Sequence, residues 1–405
     1  MGNGIESFPL SQRNRLTRLA HRAQQEGRFS KFVPASGAAS RLFPSGGKLD
    51  PRLTVLLGRD LLSLAHRPKA LIPFHRVGRG TLTAFEEHLW EAVKAGMGKA
   101  HFTVPEEFLA EFRRLGKGCA DQLHRRYRVR LHLSFSVQDP STDTVAWEEG
   151  NGLARRGEGE LLFRPGGHGA LLKNLEATKG DIVFIKNIDN VPRPSFQAEG
   201  NRWRKVLAGR LIDVQREAEG WIHALRQKRP LILSLEGAEK FIFKTLGIKS
   251  TASSVATRTK HALKILNRPW RVCGMVPNTG EPGGGPFWVK GKEGPSRQIL
   301  EGSQLGKQQK KIAQQSTHFN PVDMVVGLKD GQGRPFDLKR FADQSQVLIS
   351  TKQFEGREIR TLEHPGLWNG GMAHWNTLFV EIPATVFHPV KTIADLLRPG
   401  HNGIR

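Results

Sequence analysis

Apolar and polar positions along this chain recur with two periods, and the period changes at loops built from small residues. Leu16, Leu19 and Ala20 stand at helical spacing between basic residues, so 10–25 reads as a helix. The short apolar run 32–35 reads as a buried strand, and 36–40 then supplies only small residues before Arg41-Leu42-Phe43 begins a possible helix. Leucines at 53, 56, 57, 61 and 62 make 52–65 amphipathic, and 83–95 is a helix with Glu86 and Glu87 early, where negative charge suits the dipole. Strand-like alternation marks 101–104 and 128–137, with a helical pattern over 106–126 between them. Residues 161–163 lead into a glycine turn and a helical stretch at 170–175, and Asp181-Ile-Val-Phe-Ile-Lys186 is the clearest buried strand. Helical periodicity without strand signals fills 202–228, 235–246 and 257–266; strands resume at 271–276, 287–289, 324–326, 347–350 and 378–382, and 390–397 reads as a closing helix.

Strands alternating with helices predict an α/β fold with a mixed, mainly parallel sheet flanked by helices and interrupted by a helical insertion. Ligands are then expected at the carboxyl ends of the strands. The expected division is an α/β part over 1–205, the insertion over 206–268, and the rest of the α/β domain over 269–405.

Charge changes the picture more than composition does. The 62 basic and 38 acidic residues leave a net charge of +24, which favours polyanionic partners: phosphorylated metabolites, nucleic acid or an anionic membrane face. The basic residues are scattered, whereas a dedicated nucleic-acid binder concentrates them on one arm or helix, so nucleic acid is the second choice of partner. Cys119 and Cys273 are alone and far apart, so neither a disulfide framework nor a cysteine zinc site is suggested. No apolar run approaches the roughly 20 residues that span a bilayer, and the N-terminus lacks a signal-peptide core, so a cytoplasmic protein is expected.

The candidate chemistry falls at predicted strand ends. Ser36, Gly37 and Ala38 form a small-residue loop whose backbone N–H groups suit a phosphate, with Gly37 free to adopt positive φ and Arg41 one turn away. This is neither a P-loop nor a G-x-G-x-x-G turn. Lys69 lies between Pro68 and Pro73 on a segment that proline keeps extended, within possible reach of a phosphate. Gly166, Gly167 and Gly169 let backbone approach a flat ligand, and His168 offers a hydrogen bond; an ordinary structural turn explains them equally. Asp189, flanked by Asn187 and Asn190, suits either a Mg²⁺ ligand or an Asx-turn that ends its strand. Asp323 is a possible second metal ligand. Glu281 with Gly284 suits a sugar-sized acceptor or a flexible hairpin, and Asn369, in an aromatic–amide cluster with Trp368, suits acceptor recognition or core packing.

Val33-Pro-Ala-Ser-Gly-Ala-Ala-Ser-Arg-Leu-Phe43, Arg164-Pro-Gly-Gly-His-Gly-Ala170, Phe184-Ile-Lys-Asn-Ile-Asp-Asn190, His318-Phe-Asn-Pro-Val-Asp323 and Leu367-Trp-Asn-Gly-Gly-Met-Ala373 together resemble the bacterial family catalogued as domain of unknown function 4301. The resemblance spans most of the chain, but that family name carries no activity. More distantly, the order of features is similar to nucleotide-sugar pyrophosphorylases of the UDP-sugar type. It implies a nucleotide-diphospho-sugar transferase-like (GT-A-like) fold in which Ser36, Gly37, Ala38 and Arg41 hold nucleotide phosphates. It further implies that Lys69 is the catalytic lysine, Gly167 to Gly169 part of the base or sugar pocket, and Asp189 the metal ligand. This loop has Gly37 alone where that type has two or three glycines, and an inserted helix separates Lys69 from Arg41. The implied reaction joins a nucleoside triphosphate to a sugar 1-phosphate or similar phosphomonoester with Mg²⁺ and releases pyrophosphate. A glycosyltransferase using a nucleotide sugar, or a non-catalytic nucleotide- or nucleic-acid-binding protein, is the alternative.

Overall fold

The computed structural model describes residues 4–39, 42–43, 50–58, 61–78, 80–157, 159–227, 232–280, 283–291 and 294–401. Its central sheet contains β1 (Ile5–Glu6), β2 (Phe29–Pro34), β3 (Lys99–Thr103), β4 (His132–Ser136), β5 (Ile182–Lys186), β6 (Trp270–Pro277), β7 (Asp323–Gly327) and β8 (Asn376–Glu381). They lie in the order β1-β8-β6-β7-β5-β2-β3-β4, and the short strand His318–Phe319 pairs with the end of β6. Only β7 runs antiparallel to its neighbours along this path; the other pairs are parallel. The expected mixed, mainly parallel sheet is therefore present.

Strand alternation sorts side chains onto two faces. From β5, Ile182 and Phe184 enter the larger core, while Val183 and Ile185 enter a second core on the opposite face. The larger core takes in α1 (Leu10–Gln25), α2 (Ala84–Lys94), α3 (Leu109–Tyr127) and α4 (Gln197–Leu225), with Ile232–Leu246 and Val255–Leu266 beyond them. The second holds Leu171, Leu175, Leu367, Trp368 and Met372. Burial on both faces explains why β5 reads as a nearly continuous apolar run, and β2 as one from Phe32 onward.

The structure departs from the sequence reading at three places. The helix expected over 52–65 is two pieces, Pro51–Leu57 and Leu61–Ala65, because Gly58 at φ +83° ends the first. The strand expected from 128 begins at His132, since Arg128 takes a left-handed conformation (φ 58°) that closes α3. The closing helix is a short 3₁₀ segment, Ile393–Leu397. Leu42 lies in a 3₁₀ turn, and the rest of the helix that 41–43 could begin lies outside the described residues.

The strand expected at 347–350 belongs to a separate five-stranded antiparallel sheet, which the pattern does not predict. The sheet is built from Thr144–Glu148, Gly152–Leu153, Phe163–Arg164, Leu348–Phe354 and Arg357–Glu363, around Ala146, Ala154, Leu162 and Ile359. Two of its strands have only two residues, and Trp147, Phe163 and Ile349 stay exposed on it, so the apolar pattern that marks a buried strand is missing. No described helix is long and apolar enough to cross a membrane.

Candidate functional site

Adjacent parallel strands deliver their loops to one edge of the sheet. β2 and β5 pair with Phe32 opposite Ile185, so the loops that follow them leave the carboxyl edge side by side. The first, at 35–39, is held open by backbone bonds: Ala35 N–H to Thr103 O (2.8 Å), Ala39 N–H to Arg67 O (2.9 Å), and Lys69 N–H to Gly37 O (2.9 Å). Gly37 and Ala38 face solvent and Ser36 is half-buried. Gly37 does not use positive φ; a Cβ placed there would meet nothing within 4 Å, so the space before the loop is open.

The second loop presents Asp189. Pro68 sets the backbone ahead of the 3₁₀ turn Lys69–Leu71, and Lys69 Nζ reaches Asp189 Oδ2 at 3.1 Å. Lys69 thus holds Gly37 by its main chain and Asp189 by its side chain, although 120 positions separate it from Asp189. A second ammonium, Lys391 Nζ, lies 3.3 Å from the same oxygen. It comes from the C-terminal segment, which is tied down by Val390 N–H to Asp189 O (2.9 Å) and His388 N–H to Asn190 Oδ1 (3.0 Å). Farther on, His401 meets His75 (2.9 Å), which in turn meets Glu87 (2.8 Å). Burial pushes Glu87 up to about 8 and both imidazoles down to about 3, so this anchor is uncharged near neutrality.

Asp189 Oδ1 is buried and has no hydrogen-bond partner. A buried carboxylate oxygen without a donor is costly, and a divalent cation would satisfy it. Mg²⁺ commonly binds through one or two carboxylates plus substrate phosphates and keeps waters. Asp189 fits that pattern, although no group of three or more His, Cys, Asp or Glu gathers for a metal among the described residues.

Asp323 has different company. Its carboxylate is buried against Arg204 Nη2 (3.2 Å), in a network beneath the edge. Glu91, on α2, accepts from Lys31 (2.6 Å), Lys186 (2.7 Å) and Arg204 (2.8 Å). Burial opposes ionisation of Glu91, yet Arg204, Lys186 and Lys31 hold its carboxyl well below the usual range. With Asp323 the network has three cations to two carboxylates. Lys31 is accordingly pushed down to about 7, first by burial and then by Lys186 and Arg204, against the pull of Glu91. Asp323, expected as a possible second metal ligand, is thus engaged by Arg204 within this network. The sequence reading missed this network; its signal was a lysine in each of two buried strands and a glutamate on an apolar helix face.

His168 belongs to a third cluster, on the second core's side. Its ring stacks on Trp368 (centroids 4.3 Å apart), its Nδ1 accepts from Leu367 N–H (3.0 Å), and its Nε2 lies 3.9 Å from Glu301. Burial lowers its pKa despite Glu301 and Glu363 nearby. Gly167, at φ +74°, and Gly169 press against Glu363 and the Pro365 carbonyl, where a Cβ would collide. Asn369 is buried and donates to Ile299 O (3.1 Å) and Gln304 Oε1 (2.9 Å), so its amide hydrogens hold the 299–304 segment. Gly284 packs against the same segment at Ile299 and Glu301. The structure thus gathers Gly37, Ala38, Lys69 and Asp189 at one place and His168, Gly284 and Asn369 at another. Arg41 and Glu281 lie outside the described residues.

This fold is the one found in UDP-sugar pyrophosphorylases. The uridine diphosphate N-acetylglucosamine pyrophosphorylase from Trypanosoma brucei superposes with a TM-score of 0.53 at 13% identity, over 98% of this chain and 71% of that one. A protein of Entamoeba histolytica assigned as a UDP-N-acetylglucosamine pyrophosphorylase gives 0.52 at 11% identity, over 93% and 79%. By sequence, the chain belongs to the family described as Domain of unknown function (DUF4301), whose model matches residues 45–402. No curated protein matches it by sequence.

Proposed function

We propose that this protein is a nucleotidyltransferase that joins a nucleoside triphosphate to a sugar 1-phosphate or a similar phosphomonoester. An oxygen of the acceptor phosphate attacks the α-phosphorus, the bond to the β-phosphate bridging oxygen breaks, and pyrophosphate leaves with that electron pair. The acceptor is mostly dianionic near pH 7, so no general base is required. What remains for the protein is positioning and charge neutralisation.

The observation that carries the proposal is Lys69, whose main chain is bonded to the open loop at Gly37 and whose ammonium touches Asp189. In this reading the N–H groups of 36–38 receive the nucleotide phosphates. Lys69, Lys391 and Arg41 counter the charge that builds around the α-phosphate. Asp189 would hold Mg²⁺ through its unpartnered oxygen, and the metal supplies charge neutralisation and orientation of the phosphates. The His168–Trp368 stack, with Glu301 and Gly284 beside it, forms the base or sugar pocket. Asn369 supports that pocket by holding 299–304 in place.

The test is pyrophosphate release from a panel of nucleoside triphosphates and sugar 1-phosphates with Mg²⁺. Release is expected to need both substrates and to fall by about 10²-fold or more in Lys69→Ala. Release that is absent with every pair, or unchanged in Lys69→Ala, overturns the assignment.

A further inference from the structure

The amino edge of the sheet, opposite Asp189, carries a second basic site. A cavity of about 340 Å³ opens there between the starts of β2, β3 and β5. β2 and β5 are six and five residues long, so at about 3.3 Å per residue this cavity lies roughly 17–20 Å from the carboxyl edge. Its walls include Lys99, Lys179, Lys329, Arg28, Asp181 and Ser30. Asp181, an acid in this wall, is already paired with Arg28 at 2.5 Å. No carboxylate pairs with Lys99, Lys179 or Lys329 among the described residues. Lys31 contributes to the wall, but its ammonium turns away to Glu91.

One further observation points to a ligand there. Ser30 is about nine-tenths buried, and its hydroxyl has no hydrogen-bond partner. His101 is a neutral wall: burial takes its pKa down to about 4, and both ring nitrogens are bonded to Ser134 and Ser136 hydroxyls at 2.8 Å.

We propose that this cavity binds a small phosphate-bearing anion, held by Lys99, Lys179 and Lys329 with the Ser30 hydroxyl as an added donor. Its volume is at the small end of metabolite sites, which run from about 300 Å³ upward. The site is separate from the one assigned to catalysis and does not depend on that assignment.

The experiment is calorimetric titration of the full chain with inorganic pyrophosphate. It compares wild type, Lys69→Ala, Lys99→Glu/Lys179→Glu, and Lys307→Glu/Lys311→Glu, the last changing net charge equally on an exposed helix elsewhere. Lys69→Ala is expected to retain the amino-edge binding event. Lys99→Glu/Lys179→Glu is expected to weaken it by about 10-fold or more, as for lost charge-assisted hydrogen bonds, and Lys307→Glu/Lys311→Glu to leave it near wild type. Ser30→Ala, which removes only the hydroxyl, should weaken it by a smaller factor without lowering Tm. The proposal is overturned if Lys99→Glu/Lys179→Glu binds as wild type, if both double variants weaken equally, or if Lys69→Ala abolishes all binding.

Discussion

Two clusters of lysine and carboxylate lie close together along β2, β5 and the loops that follow them, and they are built to different ends. Around Glu91, three cations close in at 2.6–2.8 Å and solvent is excluded. Around Asp189, one oxygen meets two lysines at 3.1 and 3.3 Å, the other meets nothing, and the loop in front of Gly37 is open. A closed network of this kind holds the sheet to α2 and α4. An unfinished one beside open space has room for more, and under the proposed function a phosphate and a metal ion complete its charge balance. The comparison teaches that residue type alone does not separate scaffold from site; satisfaction does.

The largest effect expected from breaking this contrast is on the closed side. Glu91→Gln leaves buried cations uncompensated, and urea denaturation should show a loss of about 3–5 kcal/mol. Asp189→Asn should leave stability nearly unchanged and reduce Mg²⁺-dependent turnover by about 10²-fold. Lys31 gives a pH signature. Its folded pKa near 7 lies below its ordinary 10.5, so between those values the unfolded chain binds more protons and stability rises with pH. That slope should approach 1.4 kcal/mol per pH unit at most and flatten in Lys31→Met, measured by denaturation from pH 7 to 10. The smallest effect is at Lys391, which is 42% exposed and screened by water. Lys391→Ala should lower turnover only several-fold, read as kcat/KM.

Much of this contrast was legible in the sequence on one side only. The strand–loop units at 32–39 and 182–190 stand out because both strands are buried on two faces and their loops are short. Asp189 and Lys69 could be singled out by local pattern, but not their contact. Lys391 was invisible as a partner, since it reaches Asp189 across 202 positions through a segment whose own pattern reads as a helix. The Glu91 network was hidden for a related reason: Lys31, Lys186, Arg204 and Asp323 come from four separate elements, and only the sheet register and α4 bring them together. The antiparallel sheet was missed because two of its strands are too short to show a period.

The most direct measurement of the central claim is the Tm of wild type, Lys69→Ala and Asp189→Asn with nucleoside triphosphates, with and without Mg²⁺. At least one nucleotide is expected to raise the wild-type Tm, Lys69→Ala to lose most of the rise, and Asp189→Asn to lose the Mg²⁺-dependent part. An equal rise in all three proteins, or none in wild type with any nucleotide, would contradict that claim.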